Sequence, residues 1–257
     1  MRIMTSNIWG DYFGNEVATR EGGLIETYLK YSPDIIGFQE VTKNWYNGRL
    51  FKELSESYCF CGTEIYGGRN FVPFAYKKEY AKKLVESGYE MVCPELDESK
   101  AITWAYFADG EKSFAVCNTH FWWKEGEWHD RVRDGNAKQL VRLMKYVNGK
   151  YSCPVFAFGD MNTTVSSSVF DIYKENGVTH LFDIAKEKYN RGSHHGDPVR
   201  GDDGLYHGKT TEKLHTDSID HIVFYGDISA ANKYTVIEDT AALDSTDHSP
   251  VFADIEL

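Results

Sequence analysis

The sequence predicts an α/β fold, and two observations carry that expectation. Short apolar runs of strand character alternate along the chain with segments whose apolar residues recur at helical spacing. Polar, chemistry-bearing residues stand repeatedly at the ends of the strand-like runs, where open α/β sheets bind ligands. A length of 257 residues suits one unit with a full core, so a single domain over 1–257 is expected.

The elements follow in chain order. "RIMTSNIW" alternates like a strand and ends in Asn7. "GGLIETYLKY" places Leu24, Ile25, Tyr28 and Leu29 on one helical face, and Ser32-Pro33-Asp34 stops it. "IIGFQEV" reads as a second strand ending in Gln39-Glu40, and "GRLFKELSESY" as a second helix with Leu50, Phe51 and Leu54 together. Strand-like runs follow at 71–76, 101–107 and 113–119, the last ending in Asn118 and His120. A helix at about 133–147 carries Ala137, Leu140, Val141 and Met144.

In "CPVFAFGDMNTT" the run 154–159 is β-branched and aromatic, bounded by Pro154 and Gly159, and stops at Asp160 and Asn162. The segment from about 186 to 215 breaks the rhythm. It is polar, Gly-rich and nearly free of aliphatics, and reads as a long loop excursion outside the core. Strands at 218–224 and 250–255 close the chain, the first with Asp220-His221, the second preceded by Asp247-His248.

Composition narrows the function. With 42% hydrophobic and 26% charged residues, the chain matches ordinary globular proteins. No apolar run approaches the roughly 18 residues of a membrane span, and "MRIMTSNIWG" lacks the apolar core of a secretory signal. A cytoplasmic location is therefore expected. Five scattered cysteines form neither a disulfide framework nor a CxxC pattern. Cys59 and Cys61 share one strand face as small core residues. The net charge of −11, with 28 basic against 39 acidic residues, argues against a protein built to grip duplex DNA, though not against a local basic groove.

Taken in order, "SNIW", "FQEV", "NTHF", "GDMN", "SIDHI" and "TDHSPV" resemble the endonuclease/exonuclease/phosphatase superfamily from Asn7 to Pro250. The resemblance implies a four-layer sandwich: two packed mixed β-sheets flanked by helices on both outer faces. It also implies a metal-dependent phosphoesterase. Two departures stand out. The last motif reads Thr-Asp-His where Ser-Asp-His is usual, and "RDGNAKQL" offers Arg133 with Asn136 where members often carry Arg and Gln.

Phosphoester hydrolysis needs well over 10 kcal/mol of assistance, more than one general base supplies. A hard divalent cation held by oxygen ligands supplies part of it. The resemblance makes Glu40 the primary ligand of Mg²⁺ (or Mn²⁺), joined by Asn7 and Asp247. It makes Asp160 the acceptor of the attacking water's proton, with the base left open among the carboxylates, and Asn162 the donor that holds water or phosphate. His248 then stabilises the transition state, Asp220 orients and charges His248, and His120 donates from the other side. Arg133, Trp122 and His207 are the implied substrate contacts.

Plainer alternatives exist for most of these residues. Asp160 and Asn162 also spell an Asx turn, Trp122, Trp123 and Trp128 also suit loop packing, and His194-His195 or His207 with His215 lack the spacing of a zinc motif. The expected partner is a small or lipid-derived phosphate ester, with a rim that includes Trp9, Tyr12 and His194. A nuclease acting on DNA or RNA is the alternative, and a catalytically dead binding protein is the third reading.

Overall fold

Two large mixed sheets pack face to face in the computed structural model, which describes residues 1–65, 68–110 and 112–257. The seven-stranded sheet runs in the order Glu187–Lys188, Ala230–Val236, Val251–Glu256, Arg2–Asn7, Ile35–Gln39, Phe74–Lys77, Tyr58–Cys61. The six-stranded sheet runs Thr179–His180, Asp220–Tyr225, Val155–Asp160, Lys112–His120, Ala101–Asp109, Leu84–Met91. Each sheet has a parallel pair near its middle, Arg2–Asn7 with Ile35–Gln39 in one and Lys112–His120 with Val155–Asp160 in the other. All four of these strands end in polar residues.

Three apolar clusters define the layers. Ile3, Phe74, Phe107, Phe156, Phe158 and Tyr234 fill the space between the sheets. Leu140, Met144 and Val147 of the Glu127–Tyr151 helix cover the outer face of the six-stranded sheet. Leu24 and Tyr28 of the Glu21–Tyr31 helix, with Leu50 and Leu54 of the Arg49–Leu54 helix, cover the other sheet. Each fully buried large side chain contributes about 1.5–3 kcal/mol. The sheets approach closely at Gly37, where an added Cβ would lie 2.4 Å from the Phe158 ring. Among the described residues, no helix is long and apolar enough to cross a membrane.

The structure departs from the sequence expectations in three places. The helix read at 133–147 extends over Glu127–Tyr151; its first turns are polar and bear Glu127 and Asp130 at the positive helix end. Leu84–Met91 and Ala230–Val236 are strands that no alternation announced. The first is a half-exposed edge strand, and the second carries a bulge between Ala231 and Lys233 that breaks its period.

The third departure is the segment at 186–215, which is no free excursion. It contributes an edge strand at Glu187–Lys188 and a small hairpin pairing Val199–Arg200 with Tyr206–His207. It is also clipped to the body by Ser249 N–H donating to the Ser193 carbonyl at 2.7 Å.

Candidate active site

The site stands where the ends of the two parallel pairs meet. In the six-stranded sheet, Asp160 is the direct cross-strand partner of both His120 and Asp220, so strand register alone sets three candidate site residues abreast. Gly159 makes this possible. It adopts φ +154°, and a Cβ there would lie 1.9 Å from the Thr119 carbonyl. From the other sheet Asn7 donates to Asp160 Oδ2 at 3.0 Å and to Glu40 Oε1 at 3.3 Å, joining the two sheets across the pocket.

The backbone is strained around this pocket. Trp9, Glu40 and Asn162 all have positive φ, at 57°, 63° and 50°, an arrangement costing about 1–3 kcal/mol per residue and typical of functional sites. Glu40 sits one residue past its strand, where Gly10 N–H donates to Oε2 at 2.7 Å. Asp160 Oδ1 accepts from Asn162 N–H at 2.9 Å, so the Asx turn exists and leaves Oδ2 facing the pocket. One Asn162 amide hydrogen is given to the Phe121 carbonyl at 3.1 Å; the other is free to donate.

His248 Nδ1 lies 2.8 Å from Asp220 Oδ2, while its Nε2 faces Asp160 Oδ2 at 3.9 Å, too long for a hydrogen bond. Burial alone would discharge this imidazole. The carboxylates of Asp220, Asp247 and Asp160 overcome that and hold His248 protonated well above the usual histidine range. Asp160 feels the reverse. Burial pushes its carboxyl up, but His248 and His120 bring it far below the ordinary carboxylate value. Asp247 is raised to about 7, by burial and by the charges of Glu40 and Asp197 against the opposing effect of His248.

Two residues join the site that sequence reasoning placed elsewhere or missed. Lys100 is buried, with Nζ 2.8 Å from His120 Nε2. Burial lowers its pKa, while Glu40 and Asp160 oppose that. It precedes its strand in "ESKAI", and nothing in that string marks it as internal. His194, expected on the rim, pairs in a β-bridge with His248 and lies ring to ring with it at 4.8 Å.

The three expected substrate contacts stand differently. The Arg133 guanidinium is buried and donates to the carbonyls of Trp122 and Lys124 while pairing with Asp130, so it fastens a loop. Trp122 is buried, and its indole N–H donates to His129 Nδ1 at 2.7 Å. His207 is exposed in the hairpin and lies 3.0 Å from Asp203. All three side chains are occupied by partners within the fold, which is why none is presented to the pocket as an unengaged contact. Asn118, a further polar residue of the NTH strand, donates to the Phe38 and Pro73 carbonyls and pins one sheet to the other.

Comparison with known proteins agrees with this architecture. A model of the Endonuclease/Exonuclease/phosphatase family matches residues 4–248. The chain belongs to that family. Its class is therefore that of hydrolases acting on phosphoester bonds.

Solved structures similar to it include an endonuclease/exonuclease/phosphatase from Bacteroides vulgatus, at 22% identity and TM-score 0.77, covering 100% of this chain and 98% of that one. A mannosyl-6-phosphatase from Bacteroides thetaiotaomicron is similar at 18% identity and TM-score 0.73, covering 100% of both chains. Truncated TDP2 from Caenorhabditis elegans is similar at 16% identity and TM-score 0.73, covering 100% and 97%. Likeness at such identities shows the fold alone. No curated protein sequence matches the chain.

Within the family frame, the described residues offer groups able to hold a divalent cation, among them His194 with Asp247 and His248, and Asp160 with Asp220 and His248.

Proposed function

We propose that the protein hydrolyses a small phosphate ester with the help of a divalent metal ion, Mg²⁺ or Mn²⁺. The observation that carries this reading is a charged, buried His248 set 3.9 Å from an ionised Asp160 where the ends of the two sheets meet. The donor set fits a hard cation. Glu40 presents a carboxylate beside the Asn7 amide, and Asp220 Oδ1 is buried without a hydrogen-bond partner, so oxygen donors predominate. Glu40 and Asn7 would hold the ion, with Asp247 adjoining. Such an ion supplies Lewis-acid polarisation of the phosphoryl group.

The chain's own groups do the rest. Asp160 stays ionised at any working pH and accepts a hydrogen bond from the attacking water, fixing it in line. Its low pKa makes it a modest base, so most of the assistance comes from positioning and charge. His248 donates from Nε2 to the phosphoryl oxygens, and Asp220 keeps that donor charged and aimed. Lys100 supplies positive charge from the far side, with the His120 ring beside it, and the second amide hydrogen of Asn162 reaches toward the same space.

The substrate reading rests on the rim and the charge. Tyr12 lies over Gly10, whose N–H contacts Glu40, and its ring is half exposed. An aromatic edge of this kind suits a sugar or apolar group carrying one phosphate. A net charge of −11 opposes a long polyanion. A mannosyl-6-phosphatase among the fold neighbours shows that the scaffold serves such substrates elsewhere.

The test is a panel of sugar phosphates, bis-p-nitrophenyl phosphate, oligonucleotide and duplex DNA, each with Mg²⁺ and with EDTA. Turnover of a small ester, abolished by EDTA and needing more metal in Glu40→Gln, supports the proposal. Preferential cleavage of nucleic acid that falls steeply with salt, or full activity without metal, overturns it.

A further inference from the structure

At one edge of the six-stranded sheet, three histidines from separate parts of the chain meet in one place. His180 ends the Thr179–His180 strand, His215 opens the short turn of helix at His215–Asp217, and His221 follows Asp220 on its strand. Their exposures are 5%, 3% and 0%. One nitrogen from each lies within 4.8 Å of the other two.

Four buried imidazole nitrogens in this cluster have no hydrogen-bond partner: His180 Nε2, His215 Nδ1 and Nε2, and His221 Nδ1. Native interiors rarely leave polar atoms so, and an unexplained set points to a missing ligand. His221 is the most telling member. Its Nε2 lies 2.8 Å from the Thr163 carbonyl, which only an N–H can satisfy, so Nδ1 carries the lone pair and is buried without a hydrogen-bond partner. A ring that donates one N–H to a backbone carbonyl and presents the other nitrogen unprotonated is the arrangement of a metal-ligating histidine. His215 is held flat against Phe182, centroids 3.6 Å apart, which fixes its plane.

We propose that His180, His215 and His221 form a second metal site, distinct from the oxygen-rich catalytic pocket, that takes Zn²⁺ or a similar imidazole-preferring divalent ion. Three neutral nitrogen donors select such ions over Mg²⁺. Burial holds all three rings below their ordinary pKa, in the neutral form that coordinates. The nitrogens of a tetrahedral zinc centre stand roughly 3.4 Å apart, as Zn–N bonds of about 2.0–2.1 Å require.

A surface cleft of about 610 Å³, lined by Phe170, His180, Phe182, His215 and Thr216, gives entry to the cluster. Through the His221 bond to Thr163, the ion would brace the turn carrying Asp160 and Asn162. Its place is that of a positioning centre.

The experiment strips the full chain with chelator, restores millimolar Mg²⁺ to fill the oxygen-donor pocket, adds Zn²⁺, and measures metal retained after desalting. About one equivalent of zinc is expected in the wild type and in Glu40→Gln, with at least tenfold weaker retention in His180→Gln and His215→Phe. X-ray absorption of the zinc-loaded wild type should show about three imidazole nitrogens, and this decides the matter if either histidine variant fails to fold. No retained zinc in the wild type, retention undiminished in folded histidine variants, loss in Glu40→Gln, or a shell dominated by oxygen overturns the proposal.

Discussion

His248 owes its charge to neighbours, and Asp220, at 2.8 Å, is the one it touches. Replacing that carboxylate lowers the pKa of His248, so the protonated donor is lost at a lower pH. Asp220→Asn should therefore move the alkaline limb of the kcat/KM profile toward neutrality and cut turnover at pH 8 by about 10²; an unmoved limb would refute the role. Lys100 gives a second outcome. A buried charge-assisted hydrogen bond is worth about 1.5–3 kcal/mol, so Lys100→Met should lower kcat/KM by roughly 10- to 100-fold, measured alongside circular dichroism to verify folding. At this scale the sequence was legible where a polar residue stood at one end of an apolar strand, the far end for Asn7 and Asp160 and the near end for Asp220. It was silent for Lys100, which lies in an irregular stretch with no period to betray its burial, and it put His194 only on the rim, because that placement depends on a segment that composition alone makes look free.

The segment at 186–215 is held to the site by Ser193. Its buried hydroxyl accepts from the backbone N–H groups of Ile219 and Asp220, at 3.2 and 3.1 Å, at the start of the strand that carries Asp220. Ser193→Ala leaves both donors without that acceptor at a cost of about 1–3 kcal/mol. Urea denaturation should register that loss, and activity should fall further than stability because His194 and Asp220 both shift. A variant with wild-type activity would show the clip to be unimportant. Among elements, those buried on a face were readable: the strands near 35–39, 113–119 and 154–159 and the helix over 21–31. The edge strand Leu84–Met91 was not, since one side meets water and Glu86, Gly88 and Glu90 dilute its pattern. The packing of two sheets came from the ordered motifs and not from periodicity, which reports a buried face without naming what covers it.

Acid should destabilise the whole molecule through its buried imidazoles. His215 is pushed by burial from about 6.5 to about 3, so between those values the unfolded chain binds a proton that the folded chain refuses. Stability is complete above pH 6.5 and declines as pH falls, by at most about 1.4 kcal/mol per unit for this ring. His194 and His195, each lowered to about 4 mainly by burial, add smaller amounts because they are only partly enclosed. Urea midpoints of chelated protein at pH 7 and pH 5 should show the decline, and His215→Phe should flatten it. Equal slopes in the two proteins would mean that His215 carries its proton in the folded state.

The strand Arg2–Asn7 takes one neighbour from Ile35–Gln39 and the other from Val251–Glu256, with Arg2 opposite Asp254. Its second edge cannot be closed by anything made early. A chain leaving the ribosome therefore carries an unpaired, largely buried-type strand through most of synthesis, the condition in which edges attract wrong partners. Such distant pairing also slows folding. The pocket inherits this order of events: Asn7 waits for Thr246, whose hydroxyl donates to its carbonyl at 2.7 Å, and for His248 just beyond. In refolding from urea, helix content should return first and hydrolytic activity last, because the candidate catalytic groups meet only when the two ends of the chain have found each other.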